Sequence, residues 1–115
     1  MMQESFRIDL DAVLKADIEW QPFRTGIEIH RLYGELGAGR AAALLRYAPG
    51  ASLPIHRHAG FEQILVLEGS QVDDLGRYSK GTVVVNPPGS AHAVSSPEGC
   101  VVFVTWELPV EFDAE

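Results

Sequence analysis

Four side chains in two short segments have the types and the spacing to grip a single metal ion. The first segment runs Gly50-Ala51-Ser52-Leu53-Pro54-Ile55-His56-Arg57-His58-Ala59-Gly60-Phe61-Glu62. The second runs Gly81-Thr82-Val83-Val84-Val85-Asn86-Pro87-Pro88-Gly89-Ser90-Ala91-His92. His56 and His58 lie two apart in a stretch that reads as extended, so both imidazoles leave the same face of a strand. Gly60 supplies a bend, and Glu62, an even number of positions on, returns a carboxylate to that side. His92 arrives from a second hairpin, after Pro87-Pro88-Gly89. Three neutral imidazoles and one carboxylate form a mixed nitrogen and oxygen set that suits Zn, Fe, Mn, Ni or Cu. On an octahedral ion this set leaves two positions open. On four-coordinate zinc it is complete, and the site is structural.

The elements that must position these residues are short. From Gly26 onward, apolar runs alternate with glycine and proline, and strands are expected over 27–33, 41–48, 53–58, 61–68, 82–86, 92–95 and 100–107. Strands at this spacing argue for an all-β sandwich or barrel. Before them, 9–16 reads as a short helix or an edge strand, with Leu10, Val13 and Leu14 as a partial apolar face. Trp20, followed by Gln21-Pro22, reads as a strand ending in a turn. Between Gly69, where the apolar run that follows Glu62 ends, and Gly81 lie only residues 70–80, enough for a tight hairpin and too few for a lid.

Alternation along the strands adds detail. If Glu62 faces inward, so do Ile64 and Val66, while Leu65 and Leu67 face outward. A strand apolar on both faces is covered on both. The cover is the N-terminal segment, a second sheet or another subunit. His92 facing inward carries Val94 and Ser96 with it. Arg46 and Tyr47 have opposite parity, so one alone lines the interior; the last strand offers the same choice between Val102, Val104, Trp106 and Val101, Phe103, Thr105. Trp20 and Trp106 are expected to pack, Tyr78 to end a strand, and His30 to be exposed.

Composition bounds the function. The 115 residues make one domain of ordinary balance, 46% hydrophobic and 22% charged. A net charge of −7 leaves no basic stripe to neutralise phosphates, so nucleic acid is not an expected partner. Cys100 is the sole cysteine, which excludes an intrachain disulfide and a cysteine-based zinc site; it reads as a buried, inert thiol. The first residues carry no apolar leader, and no run approaches the ~20 residues of a membrane span, so a membrane partner is not expected and the cytoplasm is.

The two segments together resemble the paired motifs of the cupin superfamily, with Ser96 standing where the second motif usually ends in Asn. Within that superfamily, the stretch from His56 to Gly69, then Gly76-Arg77-Tyr78, Asn86-Pro87-Pro88-Gly89-Ser90 and Gly99-Cys100, is similar to the ChrR-like cupin domain. The likeness spans residues 18–112. It implies an all-β cupin jelly-roll barrel, or double-stranded β-helix, over residues 26–115, with residues 1–25 an N-terminal extension packing on it. It also implies one divalent transition metal (Zn, Fe, Mn or Ni) held by His56, His58, Glu62 and His92, and a small-molecule ligand in the barrel cavity. Cupins are often dimeric, and a homodimer is expected. The resembling domain forms the C-terminal half of ChrR-type anti-sigma factors and occurs in enzymes that cleave acetylacetone or hydroxylated acetophenones. The anti-sigma proteins carry an N-terminal helical zinc domain with paired cysteines. The residues ahead of this barrel hold no Cys and no His, so sigma-factor binding is not expected. A small-molecule binding or sensing module is the leading reading. The alternatives are a non-haem iron dioxygenase acting on a dicarbonyl or hydroxylated aromatic ketone, and a zinc-stabilised structural or protein-interaction barrel.

Overall fold

Glycine and proline cut the chain where the apolar runs end, and ten strands form between the cuts. The computed structural model describes residues 4–15 and 17–112. After a short helix, α1 (Leu10–Leu14), come β1 (Gln21–Arg24), β2 (Ile27–Tyr33), β3 (Ala41–Tyr47), β4 (Ala51–His58) and β5 (Glu62–Asp73). Then follow β6 (Gly76–Ser79), β7 (Val83–Asn86), β8 (Ala91–Ser96), β9 (Cys100–Trp106) and β10 (Val110–Phe112). The fold is all-β, a cupin jelly roll of antiparallel strands.

The main path of hydrogen-bonded strands is β1-β2-β3-β9-β5-β8-β4-β10, with β6 and β7 both paired to β5. β5 is the shared strand. Its first half pairs with β9 and β7; its second half pairs with β6 and touches β8 at Val72↔Ser95. The change of sheet occurs at a bulge between Val66 and Glu68, followed by Gly69. Gly69 sits at φ 74°, and a Cβ there would collide with the Gly99 carbonyl, so only glycine lets the two strands cross this closely. A second bulge, between Leu53 and His56, interrupts the pairing of β4 with β8. Pro54 lies in it, where a missing N–H breaks no ladder bond.

Two apolar layers result. Inside the barrel, Ile29, Leu45, Ile64, Val66, Val102 and Val104 pack together with Tyr47 and Trp106. Outside, Leu44, Leu67 and Val101 are buried beneath Val13 of α1, with Ile8, Leu14, Ile18 and Trp20 beside it. Of the two readings open for 9–16, the helix forms: Asp9 caps it by accepting from the Asp11 N–H at 3.0 Å. Ala16 lies outside the described residues. Besides the family resemblance, the expectation of a homodimer rested on Leu65 and Leu67 needing cover. α1 and the segment behind it supply that cover within one chain, so the packing argument for a second subunit falls away.

Local details settle the parity questions. Tyr47 is buried and faces inward, whereas Arg46 points out, pairs with Glu28 and stacks on Trp20. Val102, Val104 and Trp106 take the inner face of β9. His30 is half-buried rather than exposed, because its Nδ1 bonds the Glu19 carbonyl at 2.8 Å and ties the N-terminal segment to β2. Residues 70–80 form a tight hairpin, but most of it is strand: β5 runs on to Asp73, and Asp73 pairs with Gly76 across the turn. Among the described residues, no helix is long and apolar enough to cross a membrane.

Candidate metal centre

β4, β5 and β8 meet at one end of the barrel and bring His56, His58, Glu62 and His92 together. One ligand atom from each of the four lies within 4.8 Å of all the others, and all four residues are buried. His56 and His92 face each other across the β4–β8 pairing. Without the bulge at Pro54-Ile55, alternation would put Leu53 and His56 on opposite faces. With it, Leu53 lines the cavity and His56 and His58 still point to the centre.

The outer edge of each imidazole is engaged. His56 Nδ1 lies 2.9 Å from the Pro54 carbonyl, an acceptor only, and so donates to it. His92 Nδ1 lies 3.0 Å from Asp73 Oδ2 and donates to that carboxylate. Ser90 Oγ donates to the Pro87 carbonyl at 2.6 Å, which leaves it to accept from His58 Nδ1 at 2.9 Å. With all three protons on Nδ1, each Nε2 carries a lone pair. Among the described residues, His58 Nε2 and His92 Nε2 are buried without a hydrogen-bond partner. They lie 3.0 and 3.9 Å from Glu62 Oε1, close but without hydrogen-bond geometry. Lone pairs turned on a carboxylate in a buried site make a donor set that could hold a metal ion.

Glu62 is held as firmly. Asn86 Nδ2 donates to Oε1 at 2.9 Å and Trp106 Nε1 donates to Oε2 at 2.7 Å. A carboxylate accepts about four bonds, so positions remain for a cation. Burial pushes the Glu62 carboxyl upward, but without a metal the His58 imidazole, when protonated, and the Asn86 amide outweigh it and hold the group below its ordinary range. Burial lowers His56, against the pull of the Pro54 carbonyl, and keeps that imidazole neutral. Asp73 is raised by burial, then brought below its usual value by the Tyr78 hydroxyl and His92. Tyr78 Oη donates to Asp73 Oδ1 at 2.7 Å, and that bond pushes the phenol up to about 12. The chain Tyr78–Asp73–His92 is the hydrogen-bonded support that metal-bound histidines use to fix tautomer and raise basicity.

Asp73, Asn86, Ser90 and Trp106 are not predicted from the sequence as parts of the site. Trp106 was expected to pack, and it does, but its indole N–H also anchors Glu62. Asp73 reads as a turn residue, and the unbroken parity of β5 from Glu62 would turn it outward. The bulge after Val66 shifts the inward set from even to odd positions and delivers both Gln71 and Asp73 to the interior. Ser96 is fully buried and donates to the Ser70 carbonyl at 2.6 Å, bonding β8 to β5 rather than serving the centre. Cys100 is buried, which pushes its thiol up to about 11.

A cavity of about 210 Å³ opens beside the cluster, touching His56, Glu62 and His92. Its wall is mainly apolar, from Leu45, Leu53, Ile64, Val94 and Val104, with Tyr47 and Gln71 as polar groups. Pockets for drug-sized ligands hold roughly 300–1,000 Å³, so this one takes a smaller molecule.

The model of the ChrR Cupin-like domain family matches residues 10–109 of the chain. Anti-sigma-E factor ChrR of Cereibacter sphaeroides is 27% identical over 101 residues, which cover 85% of this chain and 46% of that protein. The chain therefore spans about half the length of the curated relative it matches. The structure of Rhodobacter sphaeroides SigE in complex with the anti-sigma ChrR superposes with a TM-score of 0.70 at 24% identity, covering 80% of this chain and 50% of that one. An acetylacetone dioxygenase from Acinetobacter johnsonii superposes with a TM-score of 0.79 at 17% identity, covering 100% of this chain and 80% of that one. These two likenesses establish the fold. The anti-sigma relative and the SigE–ChrR structure also correct the expectation that sigma-factor binding is unlikely. That expectation rested on the residues ahead of the barrel, yet the matching relative, an anti-sigma factor, was crystallised with SigE and shares the barrel itself.

Proposed function

The chain belongs to the family of ChrR cupin-like domains, and on that premise we propose that it binds one divalent transition metal and a small molecule beside it. His56, His58, Glu62 and His92 hold the ion. The observation behind this assignment is the set of three imidazoles whose Nδ1 atoms all face acceptors, with their Nε2 lone pairs converging on an ionised carboxylate. Zinc, iron, manganese and nickel all suit such a donor set. When bound, the metal supplies a Lewis acid and a template for an oxygen-bearing ligand. The chain's own residues do the rest. Pro54, Ser90 and Asp73 fix the tautomers, Asn86 and Trp106 orient the carboxylate, and the apolar wall excludes water. Elemental analysis of protein purified without an affinity tag or added metal tests the assignment, with one ion per chain expected. Protein that is metal-free as isolated and takes up none of an equimolar zinc supplement rules it out.

A protein partner of the sigma-factor class is a second reading, supported by the 27% identity to anti-sigma-E factor ChrR across most of this chain. Co-elution of the metal-loaded chain with a SigE-type sigma factor at micromolar concentration is the expected result; separate elution rejects it. The dioxygenase alternative is supported by fold likeness alone. Oxygen consumption by Fe(II)-loaded protein across a panel of β-dicarbonyls decides it.

A further inference from the structure

β1 is the last strand at one end of the sheet path and β10 the last at the other, so the barrel is open between them. Side chains bridge that seam instead of backbone bonds. The Arg24 guanidinium carbon, on β1, lies 4.1 Å from the centroid of the Phe112 ring, on β10. Phe112 in turn lies against His56, with ring centroids 5.3 Å apart. Arg24 is therefore one aromatic ring away from the histidine cluster, and it borders the cavity.

Among the described residues the guanidinium groups of Arg7, Arg24, Arg40 and Arg57 are all without a hydrogen-bonded or ion-paired side-chain partner, and of these four Arg24 alone borders the cavity. Arg46 is paired with Glu28, Arg77 with Glu98, and Arg31 donates to Gln21. Among the described residues, Arg24 has no carboxylate within 4.0 Å and its guanidinium makes no hydrogen bond. It is also the single Lys or Arg among the residues around the cavity. A guanidinium stacked face-on over an aromatic ring keeps its in-plane N–H edge free, in the fork that matches a carboxylate. In a chain of net charge −7 an anion finds few favourable places, and this is one that opens onto an apolar hole.

Resting on the reading of the barrel as a small-molecule site, we propose that the ligand is an organic monocarboxylate. Its carboxylate docks on Arg24 at the β1–β10 seam, its apolar body fills the cavity, and its far end carries the oxygen function that meets the metal. Arg24 is the residue that discriminates acid from neutral analogue.

The test uses nickel-loaded protein, whose octahedral ion leaves positions open, and a series of methyl keto acids of increasing chain length, from levulinate to 7-oxooctanoate, each beside its methyl ester. Calorimetric titration should show that the best-fitting acid binds about tenfold more tightly than its ester, the reach of one partly exposed charge-assisted pair. Arg24→Ala should abolish that ratio, so that acid and ester bind alike, and Arg24→Lys should keep part of it. An acid no tighter than its ester, or a ratio that survives in Arg24→Ala, overturns the assignment and leaves the small-molecule reading in place. Failure of every acid and every ester to bind overturns both, whereas nickel uptake is scored separately and stands or falls by itself.

Discussion

The inner and outer faces of the sheet formed by β2, β3, β9 and β5 are built from the same residues in alternation, yet they close in different ways. Inside, Ile64 and Val66 stand beside Glu62, Tyr47 and Trp106, and the packing stops short of filling the barrel. Outside, Leu44, Leu67 and Val101 meet Val13 and its neighbours, and Leu44 is only 1% exposed. The inner face carries polar groups whose bonds must each be met, and it leaves a cavity. The outer face is built from apolar side chains and is covered by a segment of the same chain. Function and stability are thereby assigned to opposite sides of one sheet, and changes on the two sides should be separable.

The largest effect is expected at the centre itself. His92→Ala removes one of four ligands and leaves Asp73 without its imidazole, and metal affinity should fall by more than ~100-fold, beyond what loss of a supporting residue costs. A chelator competition titration measures it, with far-ultraviolet circular dichroism as the check on folding. Retention of full metal at unchanged affinity would remove His92 from the site.

Leu44→Ala probes the opposite face. Truncating a buried leucine costs about 2–5 kcal/mol of stability. Urea unfolding should show that loss while metal stoichiometry stays at one per chain. Loss of metal in the folded variant would mean that the outer layer also positions the ligands, and the separation of the two faces would fail.

Asp73→Asn should fall between them. The amide still fills the space but carries no charge, so His92 loses basicity and metal affinity should drop by roughly 10–100-fold. Stability of the metal-free chain should change far less than in Leu44→Ala. Equal affinity for metal in Asp73→Asn and the parent would show that the Tyr78–Asp73–His92 chain is packing alone.

Asp73 also marks where the sequence stops being legible. The four residues at the centre, the strands and the two-faced character of β5 follow from motif spacing and period-two alternation, because a strand transmits facing information faithfully while its pairing is regular. A bulge breaks that transmission, and neither bulge carries an unambiguous local signal: Pro54 and Gly69 permit one but do not require it. Gln71 and Asp73, beyond the second bulge, were therefore out of reach. β10 was missed because three residues are too short for a periodic pattern, and its importance comes from Phe112 meeting a residue at the far end of the sheet path. The helical cover was legible only as an alternative, since five residues of α1 owe their form to what they bury.

The smallest expected effect is a pH dependence of the metal-free chain, and its sign separates the two faces once more. His56 is held below the ordinary histidine value, first by burial, so the folded state binds its proton less readily than the unfolded chain does. A group depressed in this way contributes stability that is fully present above its unfolded pKa, near ~6.5, and that is lost as pH falls towards the folded value. Glu62 and Asp73 are depressed too, so their contribution is present above the ordinary carboxylate range and disappears further into acid. Chelator-treated protein should therefore lose stability in two stages, the first beginning below about pH 6.5 and the second below about pH 4. His56→Gln should suppress the first stage and spare the second. Leu44→Ala should shift the whole curve down without changing its shape, because Leu44 packs in an apolar cluster apart from His56, Glu62 and Asp73. Thermal melts of the three proteins across this range measure both. A first stage that persists in His56→Gln would assign it to another group, and a changed shape in Leu44→Ala would couple the two faces of the sheet.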